Sequence, residues 1–163
     1  MSINASSFTT LSKVEQGALI AGGLSLILSF IGSYIRVSID GVEMFGNFSS
    51  GTNAWTSYAT LGMLLILAAT ALVVVRLFAA AILPSGVPWY LITLAASALG
   101  TFLIILRALT ASDSAFGASV GPGWSGWALF ITTIALTACT ALMFKASGEK
   151  LPDLPKPDAS PNA

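Results

Sequence analysis

Histidine is missing from this chain, and cysteine occurs once, at position 139. Those absences narrow the available chemistry at once. Without histidine, a serine or threonine lacks its commonest activating base. A transition-metal or haem site wants clustered His, Cys, Asp or Glu, and here the acids are scattered along the chain. One cysteine makes no intramolecular disulfide, and Cys139 sits inside an apolar run, where it reads as a packing residue. The expectation is a non-enzyme with no catalytic residue, no metal and no cofactor.

Charge is scarce as well. Asp, Glu, Lys and Arg make up 9% of the 163 residues, against roughly 25% in soluble domains. Seven basic residues balance seven acidic ones, so there is no dense basic face for a nucleic acid. The glycine-rich stretch GPGWSG lacks the lysine of a phosphate loop. Two sequons, Asn4-Ala5-Ser6 and Asn47-Phe48-Ser49, are read as chance matches.

What the chain does have is apolar length. Hydrophobic residues reach 55% and mean hydropathy is +0.86. Clothing such a chain in water is hard, whereas lipid solvates it. A bilayer core of about 30 Å needs roughly 20 apolar residues in helical form, and helices are required because hydrocarbon leaves unpaired amides unsatisfied. Four runs qualify, at about 14–35, 55–83, 89–109 and 124–144. Ser12 and Glu15 stand in capping-box spacing before the first. That run is too long for a signal-peptide core and reads as a retained helix. The fold class is therefore all-α: a four-helix antiparallel transmembrane bundle, residues 13–146, with a short extracytoplasmic hairpin-like loop between helices 1 and 2. Residues 1–12 form an N-terminal segment. The stretch 147–163, with Pro152, Pro155, Pro157 and Pro161, reads as a disordered tail.

Basic residues orient the bundle. Lys13, Arg76, Lys145, Lys150 and Lys156 fall on the side of the termini, Arg36 and Arg107 on the other. Both termini are thus expected in the cytoplasm, with Arg76 snorkelling at the membrane edge. Trp55, Trp89, Trp124 and Trp127 all fall at expected helix starts, as interfacial anchors do. Small-residue pairs supply close-packing faces: Ala18/Gly22, Ser25/Ser29 and Ser29/Ser33 on helix 1, Ala96/Gly100 on helix 3, Thr133/Thr137 on helix 4. A surplus face of helix 1 is expected to meet a membrane-protein partner or a second copy.

The segment VSIDGVEMFGNFSSGTNAW carries the polar variety of the chain. Alternation from Val37 to Met44 about Asp40-Gly41 predicts a small hairpin. Arg36, Asp40, Glu43, Phe45 and Phe48, with Arg107 and Asp113, make up a candidate extracytoplasmic interaction surface, in which Arg36 has Asp40, Glu43 or Asp113 as possible ion-pair partners.

With Asn53-Ala54-Trp55 before helix 2, Arg76 closing it, the Pro84–Pro88 loop leading to Trp89, and GPGWSGWALF entering helix 4, residues 12–146 resemble small four-span plasma-membrane proteins of actinobacteria. Ile31-Gly32-Ser33-Tyr34 stands where that group has a Pro-Trp-Phe-like end to helix 1. The resemblance implies a plasma-membrane location and brings no reaction with it. The expected function is a non-catalytic accessory or scaffold subunit of a larger membrane complex. The alternative is a homo-oligomeric channel or carrier for a neutral or lipidic solute.

The orientation is testable because Cys139 is alone. In a Cys139→Ala background, Ser7→Cys and Asn162→Cys should resist a membrane-impermeant maleimide in intact cells, and Asn47→Cys should react. The opposite labelling pattern would refute it.

Overall fold

The first helix, α1 (Lys13–Ser29), starts where the sequence places it. The Glu15 amide donates to Ser12 Oγ at 3.3 Å, and the Ser12 amide donates to the Glu15 carboxylate at 2.8 Å. This reciprocal pair satisfies two of the four amides that open a helix. A computed structural model of the protein describes residues 10–39, 49–111 and 118–149. Its further elements are β1 (Ile35–Ile39), β2 (Ser49–Thr52), α2 (Ala59–Phe78), α3 (Trp89–Thr110), β3 (Ala118–Pro122) and α4 (Trp124–Ser147). A single 3-10 turn, Ala80–Ile82, follows α2.

Two expectations need correction. Helix 1 was expected to run to Ile35, but α1 stops at Ser29. The Ala54 amide donates to the Ser29 carbonyl at 3.1 Å, which closes the helix from outside. Beyond Gly32-Ser33 the alternating, β-branched Ile35-Arg36-Val37-Ser38-Ile39 belongs to a strand. The second correction concerns the hairpin about Asp40-Gly41. β1 pairs antiparallel with β2 from Ile35↔Thr52 to Ser38↔Ser49, so a longer connection joins them. On its other side β1 pairs with β3, from Ile35↔Pro122 to Ile39↔Ala118. The chain is mostly helical rather than all-α, with an antiparallel sheet of order β2-β1-β3.

That sheet sets the direction of the helices. β1 follows α1, β2 precedes α2, and β3 joins α3 to α4, so these four helix ends gather at one end of the molecule. The opposite end holds the start of α1, the short α2–α3 connection and the end of α4. Each helix packs on its sequence neighbours, and α1 closes the ring against α4. At 1.5 Å per residue, α2, α3 and α4 measure about 30, 33 and 36 Å, and each is long and apolar enough to cross a membrane. α1, with 17 residues, is shorter, about 26 Å. The protein is a helical, multi-pass membrane protein. Its outward side chains suit lipid: Ile27, Phe102 and Ile131 are each at least 60% exposed.

Small residues line the inside. Ala18, Ala21, Gly22, Ser25 and Ser29 of α1 are all buried within the bundle. The outward positions of α1 are instead large, namely Ile20, Leu24, Ile27 and Phe30. Between α2 and α3 the backbones touch. A Cβ on Gly100 would lie 2.8 Å from the Gly62 carbonyl oxygen, and one on Gly62 would lie 3.0 Å from that of Gly100. Hydroxyls join the other seams. Ser25 Oγ lies 2.9 Å from Thr132 Oγ1 across α1–α4, and Ser97 Oγ 2.8 Å from Thr140 Oγ1 across α3–α4. One turn along, Thr101 Oγ1 donates to the Thr133 carbonyl at 3.1 Å.

Gly100→Ala should force α2 and α3 apart and destabilise the bundle by about 1–3 kcal/mol, read as a lower melting temperature in detergent. Gly23→Ala, where a Cβ meets nothing within 4 Å, should be neutral or slightly stabilising through helix propensity. Equal losses from both would show that the α2–α3 contact is not special.

Candidate functional site

Local geometry at the sheet end begins with Tyr34, the residue before β1. It is fully buried. Its hydroxyl donates to the Ile104 carbonyl of α3 at 2.5 Å. Its amide donates to the Thr52 carbonyl at 2.9 Å, and its carbonyl accepts from the Gly123 amide at 3.1 Å. One residue thus ties together edge strand β2, the residue that follows edge strand β3, and α3. Glycine makes the approach feasible: a Cβ on Gly51 would sit 2.1 Å from the Gly32 carbonyl oxygen, and one on Gly123 equally close to that of Ser33. Burial pushes the Tyr34 phenol well above its usual range, opposed by the positive field of Arg107 and aided by Tyr58. The phenol therefore stays a donor across the physiological range.

Upon this frame stand the two arginines of the expected surface. Arg36 is exposed in β1. Its register partners are Gly51 on one side and Gly121 on the other, so no cross-strand side chain covers it. Arg107 lies in the last turn of α3. Its Nε is buried with no hydrogen-bond partner among the described residues, and its guanidinium carbon is 5.8 Å from the Tyr58 ring centroid. The Tyr58 hydroxyl bonds Thr110 Oγ1, which itself reaches the Leu106 carbonyl at 2.8 Å. Ser125 Oγ, at the start of α4, is a second buried polar atom without a partner among the described residues. Asp40, Glu43, Phe45, Phe48 and Asp113 lie outside the described residues. β2 and β3 are the sheet's edges, each with one side unpaired among the described strands.

The tryptophans divide in two. Trp124 and Trp127 project from the first turn of α4, 58% and 57% exposed, as interfacial anchors would. Trp89 opens α3, its indole donating to the Pro84 carbonyl at 3.1 Å. Trp55 precedes α2 by four residues rather than starting it. Its indole donates to Ser29 Oγ at 3.0 Å and its ring stacks on Phe30 at 5.5 Å, clamping the end of α1.

At the opposite end, Arg76 lies over the Tyr90 ring. The Glu149 carboxylate accepts from the Leu91 amide at 3.1 Å and the Tyr90 amide at 3.4 Å, capping α3 from beyond α4. A cleft of about 300 Å³ is lined there by Val14, Glu15, Tyr90, Leu142 and Met143 among others. Reading the sequence missed Tyr34, Tyr58 and Glu149 as positioning residues. Gly32-Ser33 before the alternating β1 stretch is the signal for a turn that delivers Tyr34 to the start of the strand; Tyr58 and Glu149 leave no local signal. No protein-family model, curated protein or solved structure matches the chain.

Tyr34→Phe should cost about 1 kcal/mol at neutral pH through the lost hydrogen bond. Because the folded-state phenol is raised, its contribution is full below about pH 10 and falls as pH rises further, when the unfolded chain ionises first. Melts between about pH 9 and 11 should show a steeper alkaline loss for the wild type than for Tyr34→Phe. Parallel curves would refute this role.

Proposed function

We propose that this chain is a non-catalytic accessory or scaffold subunit of a larger membrane assembly. In this reading it lies in the plasma membrane with both termini cytoplasmic, and α1 completes a four-span bundle. The observation that carries the proposal is the sheet at the end away from the termini. Among the described residues, its two edge strands present unpaired backbone of the kind that accepts an added strand. Tyr34 fixes it to α3, so a partner's position is set relative to the spans. Arg36, uncovered between two glycines, adds a cation on the same platform.

The packed interior favours this reading over a conduit through one copy. Met63, Ile66, Ile104, Leu129 and Leu136 are fully buried among the paired hydroxyls. A homo-oligomeric channel or carrier, the alternative, places its path between copies instead.

Purification through a C-terminal tag from native membranes in mild detergent, with mass spectrometry, should recover a stoichiometric membrane-protein partner. Ser50→Pro, which removes an amide from edge strand β2, should reduce that recovery. A homo-oligomer alone, passing a neutral solute in liposomes, would overturn the scaffold reading.

A further inference from the structure

Arg107 is a cation without a counter-charge among the described residues. The carboxylates they include, Glu15 and Glu149, both lie at the other end of the bundle, where Glu149 touches Tyr90. Along α3, Tyr90 and Arg107 are about 26 Å apart. The groups near Arg107 offer no negative charge either. The Tyr34 hydroxyl is committed to the Ile104 carbonyl, and Tyr58 is bonded to Thr110.

An arginine that merely snorkels leaves its N–H groups to water. Here Nε is sealed from solvent and bonded to nothing among the described residues. A half-desolvated guanidinium in that state favours an oxyanion, which its planar fork binds through two parallel hydrogen bonds. The surroundings narrow the source. Arg107 sits at the end of a spanning helix, where phosphates of lipid headgroups lie. On the bundle side of Arg107, Leu61 of α2 and Phe102 and Leu106 of α3 are 53%, 60% and 36% exposed, an apolar surface on which acyl chains pack.

We propose that Arg107 holds the phosphate of a phospholipid headgroup at the sheet end of the α2–α3 seam, with Tyr58 beside it and the acyl chains along Leu61, Phe102 and Leu106. The charge on Arg107 favours a lipid of net negative charge over a zwitterionic one. This site stands apart from the scaffold reading, since it needs neither a partner protein nor the sheet edges.

Native mass spectrometry of the full chain, released from mild detergent with added lipid, tests it. The wild type should retain phosphatidylglycerol more strongly than phosphatidylcholine. Arg107→Gln should weaken phosphatidylglycerol retention by about tenfold, as expected for loss of a charge-assisted bond pair. Arg107→Lys keeps the charge, and with it the fold, but loses the fork, and should fall between them. Arg36→Gln, which removes the other described cation at this end, should retain lipid like the wild type. Retention by Arg107→Gln or Arg107→Lys equal to that of the wild type would overturn the site. So would a loss in Arg36→Gln matching that in Arg107→Gln, because diffuse charge would then suffice. Displacement of the lipid by inorganic phosphate at millimolar level would make the free ion the ligand and overturn the lipid assignment. Stronger lipid retention in Asp113→Asn would show the chain's own carboxylate filling the site, with the same consequence.

Discussion

In hydrocarbon no solvent pushes helices together, so their association depends on how closely the backbones can approach. The contact of Gly62 with Gly100 is where this protein meets that condition most directly. Each glycine lies against the other's carbonyl at a separation that a methyl group would not tolerate. Dispersion contacts lengthen along the seam once the backbones touch, which lets Met63, Ile66 and Ile104 be fully buried. The α1–α2 seam follows the same rule: a Cβ on Gly22 would meet Thr70 Oγ1 at 2.5 Å.

The remaining seams add direction to closeness. Ser25–Thr132, Ser97–Thr140 and Thr101–Thr137 pair hydroxyls across helices. Each such bond contributes only about 0.6 kcal/mol on average inside a membrane. Their effect lies in register, because sliding α4 by one residue would unpair all three. The interior is polar in small, neutralised steps. The charged residues stand toward the helix ends, where Arg76 meets Tyr90 and Arg107 meets Tyr58.

Much of the helical plan was legible because it depends on local rules. Ser12 and Glu15 announced α1, and the Pro84–Pro88 break announced α3 at Trp89. Three apolar runs became helices within a few residues of their expected limits. The sheet was half-legible. Alternation from Val37 marked a strand, but the pairing of β1 with β3 joins residues 79 to 87 positions apart, and local pattern does not specify such a partner. The contact of Trp55 was hidden for the same reason. Its place before an apolar run gives no sign that its indole donates to Ser29 Oγ, on another helix. Of the expected surface, Arg36 and Arg107 are placed by the structure, and only Arg107 acquires a desolvated environment, through tyrosines distant in sequence.

Tyr34 has a consequence for how force would pass through the molecule. A cap held to its bundle by loops alone would swing when pulled. Here the residue before β1 reaches into the bundle and bonds the α3 backbone at Ile104, while its own amide holds β2 at Thr52 and its carbonyl holds Gly123, the residue after β3. A load on either edge is carried through one tyrosine to the same turn of α3. Sheet and helices therefore respond as one lever, and a displacement of the sheet becomes a tilt of α3.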